Sequence, residues 1–101
     1  MAKLTTQDVQ DELKKLQGWD LENVAIRKEY AWTSFPDAME FVNKVAELAE
    51  RADHHPDILI NYRRVTLTLS THSEGGLTRK DFDLAEKIDK ESARRLKARP
   101  K

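Results

Sequence analysis

Apolar and polar positions along the chain predict three helices separated by two pairs of strands. The first helix is predicted over residues 5–16, where apolar residues recur at helical spacing on one narrow stripe formed by Val9, Leu13 and Leu16. Thr5, with Asp8 three residues later, matches a capping box at its start. Gly18 is expected just past its end, as a C′ residue.

The segment after the first helix is typical of two antiparallel strands. We expect them over residues 19–21 and 24–32, with a turn at Glu22-Asn23. One face of the longer strand should meet the core, and it carries Val24, Ile26, Lys28 and Tyr30. Lys28 is the one residue of this face whose charge does not suit a core position.

A central helix is predicted from Ser34 to the His54-His55-Pro56 corner. Ser34 is a suitable cap, Pro36 fits the first turn, and Asp37 suits the positive end of the helix dipole. The longest apolar stripe of the chain follows, formed by Ala38, Phe41, Val42, Val45, Leu48, Ala49 and Ala52. The helix should end at the corner because the residue before proline avoids helical backbone angles.

The second pair of strands is predicted over residues 57–61 and 62–70. In the longer strand an apolar face alternates with a hydroxyl face, which consists of Thr66, Thr68 and Ser70. We interpret the hydroxyl face as solvated. The loop over residues 71–76 gains backbone freedom from Gly75 and Gly76.

Thr78 and Asp81 form a second capping-box match, at the start of the last helix. That helix carries few apolar residues among many charges, namely Phe82, Ala85, Ile88 and Leu96. We interpret its basic surface as solvated, and we expect the tail over residues 94–101 to fray.

This order of elements predicts one α+β domain over residues 1–101. Helices on one face of a four-stranded antiparallel sheet, in the order α-β-β-α-β-β-α, form two layers around one core. The two edges of such a sheet favour pairing between subunits. A chain of 101 residues has a modest core, so an oligomer or a shallow cleft is expected.

Composition excludes several classes of protein. Charged residues make up 36% and balance to a formal net charge of zero, which argues against a nucleic-acid binder. Hydrophobic content of 39% in periodic segments argues against disorder. The chain has no cysteine, so disulfides and thiolate metal sites are excluded. Neither a signal-peptide pattern nor an apolar run of roughly 20 residues is present, so we expect a soluble cytoplasmic protein.

The candidate chemistry lies in the three histidines, which all fall within residues 49–72. Imidazole exchanges protons near neutral pH, and His72 follows a strand on a loop, where functional residues are frequent. His54 and His55 are adjacent, so their side chains should diverge in extended backbone. Plain surface histidines are one alternative reading. A metal site is a weaker one, since the spacing lacks HxH or HxxxH.

The remaining candidates have simple structural explanations. Asp81 is most simply a carboxylate at a helix N-terminus. Trp19 and Trp32 are most simply core or interface aromatics.

A family resemblance covers nearly the whole chain. It rests on Ala49-Glu50, the run Asp53-His54-His55-Pro56-Asp57, Tyr62 with Val65, the run from Leu67 to His72, Gly75-Gly76-Leu77-Thr78, Asp81, Leu84-Ala85 and Ile88-Asp89. Together these residues resemble the pterin-4a-carbinolamine dehydratases, and Gly18-Trp19 and the helix from Ser34 also fit. Each piece alone is weak, but the combination is specific.

The resemblance implies the dehydration of 4a-hydroxytetrahydropterin to quinonoid dihydropterin. That reaction recycles the pterin cofactor of aromatic amino acid hydroxylases, typically phenylalanine hydroxylase. The family's fold is the α+β arrangement predicted above, its dimers pair into tetramers, and it needs neither metal nor cofactor. Positioned imidazoles suit the two proton transfers of the reaction and contribute typically ~10²–10⁴-fold.

The resemblance also implies roles for individual residues. His54 and His72 are expected to act as acid or base toward the 4a-hydroxyl from opposite faces of the pterin, and His55 to bind and orient the ring. Glu50 is expected to hold or polarise His54. Substrate binding is expected of Asp53, His54, His55, Pro56, Thr71, His72, Ser73, Glu74 and Asp81. The family has an aromatic two residues after the proline, where Ile58 offers apolar contact instead of stacking.

A different class of function is a non-enzymatic dimerisation or assembly partner on the same fold. Such a scaffold would not need Glu50, His54, His55 and His72 together, so their joint presence favours an enzyme. A metal-binding module, which stoichiometric zinc in the purified protein would support, is disfavoured by the spacing of the histidines.

Overall fold

The computed structural model of the chain describes residues 2–98, with side chains as far as residue 95. Its elements are α1 (Thr6–Leu13), β1 (Asp20–Glu22), β2 (Ala25–Ala31), α2 (Phe35–Ala52), β3 (Asp57–Asn61), β4 (Arg64–Leu69), a 3-10 turn (His72–Glu74) and α3 (Arg79–Ala98). The predicted order of helices and strands is confirmed.

The four strands form one antiparallel sheet in the order β1-β2-β4-β3. Each hairpin pairs its own two strands, and β2 joins β4 in a register that sets Ile26 opposite Leu69 and Tyr30 opposite Val65. These residues lie on the face that the helices cover, which confirms the α+β two-layer fold. The other face of the sheet carries no layer of described residues.

The core lies between this covered face and the helices α2 and α3. Val65, Leu67 and Leu69 alternate along β4 and are completely buried. Phe41 of α2 packs its ring 4.8 Å from the ring of Tyr30 and 4.8 Å from that of Trp32. Full burial of such side chains contributes roughly 1.5–3 kcal/mol each. Trp19 and Trp32 are both buried, as expected of core aromatics.

Lys28, the misfit of the covered face, is explained by its partners. Its Nζ donates to Asp89 Oδ1 of α3 at 2.8 Å and to the carbonyl of Gln17 at 2.8 Å. The same carboxylate accepts hydrogen bonds from Trp19 Nε1 at 3.0 Å and Tyr30 Oη at 2.6 Å. The charge is therefore paired at the border of the core, where it joins the sheet to α3.

The first helix is shorter than predicted. The capping box of Thr5 and Asp8 is present, but α1 ends at Leu13. Beyond it, the amides of Lys15 and Leu16 bond carbonyls three residues back, which tightens the chain into a turn. Gly18 has φ +82° but lies five residues past the helix, so its prediction as the C′ residue was wrong.

The two longer helices agree better with the prediction. The hydroxyl of Ser34 caps α2 by accepting the amide of Asp37, and the helix ends at Ala52. The last helix, α3, continues to Ala98, so residues 94–98 of the predicted tail are helical. The rest of the predicted tail, residues 99–101, lies outside the described residues.

The sheet has an apolar free edge at β3. All five of its residues are exposed, and the exposed fraction is 37% for Ile58, 59% for Leu59 and 37% for Ile60.

On the open face, Thr66 is buried and Thr68 is half-buried, so the expectation of a fully solvated hydroxyl face was wrong. β4 is a central strand, and longer side chains flank these short hydroxyls. Within residues 2–98, no helix is both long and apolar enough to cross a membrane.

Candidate functional site

The end of α2 sends two neighbouring histidines in different directions. Asp53 adopts left-handed backbone angles, with φ +50° and ψ +45°, and the amide of His54 donates to the carbonyl of Ala49 at 3.1 Å. This reversal ends the helix in a Schellman-like turn. As a result, His54 points inward and is 8% exposed, whereas His55 is exposed.

His54 pairs with a buried carboxylate of α3. Its Nε2 lies 2.5 Å from Oδ1 of Asp81, which is completely buried. Because a carboxylate oxygen accepts hydrogen bonds, Nε2 carries the proton of this bond. The other ring nitrogen, Nδ1, has no partner among the described residues. The pair therefore fixes the tautomer of His54 and leaves Nδ1 for exchange with a ligand.

Two buried threonines hold Asp81 in turn. Thr71 Oγ1 donates to Asp81 Oδ2 at 2.8 Å, and the amide of Thr78 donates to the same oxygen at 2.9 Å. Thr71 has one hydroxyl proton, so Thr78 Oγ1 must donate in the 2.8 Å bond between the two hydroxyls. The amide of Lys80 donates to Thr78 Oγ1 at 3.2 Å. The hydrogen bonds thus run in one direction, from the backbone of α3 through both threonines to Asp81.

Glu50 contacts His55, and its expected contact with His54 was wrong. Glu50 Oε1 lies 2.6 Å from His55 Nε2, and both side chains are well exposed. Residues four apart share a face within one helix, but the left-handed turn at Asp53 ends the helix and separates Glu50 from His54. Asp81 takes the expected place of Glu50 beside His54.

His72 begins the 3-10 turn and is exposed. The turn is closed at its base by backbone hydrogen bonds between Thr71 and Gly76 in both directions, at 3.0 and 3.4 Å. Gly75 has φ +70°, which favours glycine, whereas a Cβ on Gly76 would lie 2.7 Å from Cδ of Lys3. Gly75 therefore has a conformational role in the turn that carries His72, whereas a side chain at Gly76 would only displace the flexible, exposed side chain of Lys3.

One cavity of about 290 Å³ brings most of these residues together. It is lined by Asp53, His54, His55, Ser70, Thr71, His72, Ser73 and Lys80. Of the residues predicted to bind or act on substrate, Glu50, Pro56, Glu74 and Asp81 do not line it, although Glu50 and Asp81 contact histidines that do. Sequence reasoning missed Lys80 and Ser70. Lys80 lies between Thr78 and Asp81, the two residues of the predicted capping box, which was the available signal. Only half of that box is present, because Asp81 accepts the amide of Thr78 while the Thr78 hydroxyl accepts the amide of Lys80.

The donor set offers little to a metal ion. Among residues 2–98, no three His, Asp or Glu side chains come close enough to share one. His54 and His55 also use their Nε2 atoms in bonds to separate carboxylates.

A family model described as pterin 4 alpha carbinolamine dehydratase matches residues 2–91 of the chain. The chain belongs to this family. The matched stretch contains the three histidines, the first residues of α3, and Asp89 with its hydrogen-bond partners.

Curated relatives agree with this assignment. One from Roseiflexus castenholzii is 53% identical over 88 residues, which are 87% of this chain and 95% of the relative. Another from Sulfolobus acidocaldarius is 46% identical over 88 residues, which are 87% of this chain and 97% of the relative. Both carry the provisional name pterin-4-alpha-carbinolamine dehydratase.

Solved structures share the family's fold. A transcriptional coactivator/pterin dehydratase from Brucella melitensis superposes with a TM-score of 0.84 at 36% identity, covering 87% of this chain and 96% of its own. A pterin dehydratase-like RuBisCO assembly factor of the alpha-carboxysome superposes with a TM-score of 0.62 at 21% identity, covering 73% and 86%. The second match shows likeness of fold alone.

Proposed function

We propose that the chain dehydrates 4a-hydroxytetrahydropterin to quinonoid dihydropterin, with His54 and His72 as its acid–base groups. The observation that carries this proposal is the imidazole of His54, fixed by the buried Asp81 carboxylate in a cavity that His72 also lines. A fixed tautomer and a defined free nitrogen are what a general acid or base requires. Membership of the carbinolamine dehydratase family supplies the substrate class.

The reaction balances with proton transfers alone. The 4a-hydroxyl oxygen takes a proton, the C4a–O bond breaks, and water departs. The lone pair of N5 forms the C4a=N5 double bond, and N5 then loses its proton. One proton enters and one leaves, so the chemistry calls for no redox partner and no metal. His54, through Nδ1, and His72 would share these two transfers from opposite faces of the ring.

The other residues of the site would bind and orient the pterin. His55, held by Glu50, would fix the ring at the mouth of the cavity. Asp53, Ser73 and the backbone of residues 71–74 would offer polar groups to the amide edge of the pterin. Pro56 and Glu74 would act from outside the cavity wall. Ile58 would make apolar contact in place of a stacked aromatic.

The decisive measurement is the rate of dehydration of freshly made 4a-hydroxytetrahydropterin, followed by ultraviolet absorbance. We expect wild type to accelerate the reaction, and His54→Ala and His72→Ala to lose about two orders of magnitude or more. His54→Ala removes the imidazole partner of Asp81 Oδ1 in the interior, so circular dichroism must confirm the fold of the variant. His72 is exposed, so its variant tests the role independently of folding. If well-folded wild type does not accelerate the reaction above its spontaneous rate, the enzyme proposal is refuted.

We further propose a cytoplasmic homodimer or homotetramer that serves an aromatic amino acid hydroxylase by recycling its pterin cofactor. The exposed apolar edge of β3 supports self-association through paired strands. The hydroxylase follows from the reaction, because 4a-hydroxytetrahydropterin is a product of such enzymes.

The second candidate function is a non-enzymatic dimerisation or assembly partner of another protein. It is favoured by the same exposed edge and by the Brucella relative, whose name includes a coactivator role. The rate measurement separates the two. A protein that acts only by binding a partner would leave the rate of the spontaneous dehydration unchanged.

A further inference from the structure

A cavity of about 520 Å³ lies beside the segment that leaves α1, away from the histidines. It is bounded by residues 15–17, by Lys28 of β2, and by the part of α3 between Glu86 and Ala93. Its lining residues all differ from those of the cavity that holds the histidines. Small-molecule sites commonly have volumes of roughly 300–1,000 Å³, and this volume falls within that range. We call it the α1/α3 cavity.

A buried hydroxyl without a partner faces the α1/α3 cavity. Ser92 is 8% exposed and lines the cavity, yet its hydroxyl has no hydrogen-bond partner among the described residues. A helical serine can return its hydroxyl to the carbonyl four residues earlier, here that of Ile88, but the described structure does not contain that bond. Buried polar groups normally have a partner. The hydroxyl of Ser92 is therefore available to a ligand.

Positive charge exceeds negative charge around this cavity. Its lining has three lysines and two carboxylates, namely Lys15, Lys28, Lys90, Glu86 and Asp89. Lys28 Nζ lies 2.8 Å from Asp89 Oδ1, so these two charges offset each other. Lys90 lies 3.5 Å from Glu86, and both side chains are well exposed, which makes a weak pair.

Lys15 is weakly held by its own partner. Its Nζ lies 3.2 Å from Glu12, but Arg79 binds both oxygens of the same carboxylate, at 2.8 and 3.0 Å. A bidentate arginine–carboxylate pair is the stronger kind of contact. The side chain of Lys15 is also 70% exposed, so its ammonium group is free to turn toward a ligand.

We infer that the α1/α3 cavity binds a small organic anion, whose carboxylate or phosphate group accepts a hydrogen bond from Ser92 Oγ. The lysines of the lining would attract it, because salt screens such attraction only beyond about 8–10 Å. Leu16, Ala93 and the methylene stems of the lysines would contact its apolar part. The inference goes beyond the proposed function, since it concerns a separate cavity and a different ligand.

The test uses three probes of nearly equal shape, benzoate, benzamide and benzamidine, which carry negative, no and positive charge. Each is titrated into the isotope-labelled full chain while the NMR shifts of the backbone amides are recorded. We expect benzoate to shift the amides of Gln17, Ser92 and Ala93 saturably, with a Kd of roughly 1–10 mM for so small a ligand. Benzamide should bind severalfold more weakly, and benzamidine about tenfold more weakly.

Variants assign the binding to this cavity. Lys15→Gln/Lys90→Gln should raise the Kd for benzoate severalfold. Lys14→Gln/Lys87→Gln is the matched control, because these two exposed lysines are the sequence neighbours of Lys15 and of the Glu86 partner of Lys90, and do not line the cavity. It removes the same charge and should leave the Kd unchanged. Ser92→Ala should raise the Kd about two- to tenfold, as for one net hydrogen bond, and alanine suits the helix.

Several results would overturn the inference. Benzoate at about 50 mM could give no saturable shift at these amides, or benzamidine could bind as tightly as benzoate. The control double variant could weaken binding as much as Lys15→Gln/Lys90→Gln does, which would assign the effect to the charge of the whole surface. An unchanged Kd in Ser92→Ala would equally refute the site.

Phenyl phosphate, titrated as a fourth probe, identifies the anionic group. A lower Kd than that of benzoate would support a phosphate ester as the ligand, and a higher one would support a carboxylate. The titrations contain no pterin, so their results are independent of the dehydration measurement.

Discussion

At the scale of single residues, the site depends on how the proton of His54 is placed. The carboxylate of Asp81 fixes that proton on Nε2, and Thr71 fixes Asp81 from the far side. Thr71 gives its one hydroxyl proton to Asp81 and accepts a hydrogen bond from Thr78, and the residue is 8% exposed. Thr71 is thus better suited to positioning His54 through Asp81 than to touching substrate with its side chain.

Thr71→Val should therefore lower kcat while leaving KM unchanged. The variant removes one charge-assisted hydrogen bond from Asp81, and we expect about a tenfold loss as His54 loses its fixed orientation. Thr71→Ser, which keeps the hydroxyl, should restore most of the rate. Steady-state kinetics on a 4a-hydroxytetrahydropterin checks both. A raised KM with normal kcat would show instead that the hydroxyl contacts the substrate.

At the scale of elements, a polar network fastens the sheet to α3. Asp89 accepts hydrogen bonds from Trp19, Lys28 and Tyr30, which lie before and along β2. A second fastening joins α1 to α3, where Arg79 lies 2.8 Å from Glu12. The hydrogen bond from Arg79 holds the pKa of Glu12 below its usual range. Since α3 also carries Asp81, these contacts keep the base of the candidate site in place.

The Tyr30 phenol should make stability fall at alkaline pH. Burial raises the pKa of Tyr30 above its usual value, and the nearby Asp89 carboxylate raises it further. Above about pH 10 the unfolded chain loses a proton that the folded chain keeps. The contribution of the Tyr30 phenol to the free energy of unfolding is therefore complete below about pH 10. Above that pH, the free energy of unfolding should fall by up to about 1.4 kcal/mol per pH unit.

Urea denaturation of wild type and Tyr30→Phe at pH 8 and pH 11 checks this expectation. The variant should lose about 1.5–3 kcal/mol at pH 8, because a hydrogen bond to a charged group is removed. It should also show the weaker decline toward pH 11. Tyr62→Phe is the control, since Tyr62 is 67% exposed. If the free energy of unfolding falls equally in the two variants between pH 8 and pH 11, burial of Tyr30 does not cause the loss of stability at alkaline pH.

At the scale of the whole molecule, the free edge of β3 is the feature least expected of a protein that stays monomeric. A flat, apolar edge strand presents unpaired backbone groups beside hydrophobic side chains, and folded proteins normally cover or charge such an edge. Here Ile58, Leu59 and Ile60 are all exposed. The opposite edge, β1, has only three residues, so it offers fewer hydrogen bonds to a partner.

Leu59→Lys should shift the protein toward monomer, since it places two like charges close together wherever β3 pairs with a second copy. Size-exclusion chromatography with light scattering, at several protein concentrations, measures the change. Leu21→Lys, at an exposed residue of β1, is the matched control and should leave the mass unchanged. A monomeric Leu21→Lys beside an associating Leu59→Lys would place the interface on the opposite edge.

Much of this molecule follows from local pattern in the sequence. Period-two alternation identified the buried face of β4, and the capping residues Thr5 and Ser34 marked the starts of α1 and α2. The histidines and the capping box of α3 identified the family and most of the cavity lining. These signals are local, because a strand's face or a helix cap depends on residues only two to four positions apart.

Only the tertiary structure decided which groups are partners. Asp81 reaches His54 across 27 residues, and Asp89 reaches Lys28 across 61. The left-handed turn at Asp53 redirected Glu50 to His55, and aspartate gives a weaker sequence signal for such a turn than glycine does. Periodicity states which face a residue occupies, whereas packing decides what stands opposite it. The sequence therefore determined the elements and the chemistry present, and the fold decided how that chemistry is paired.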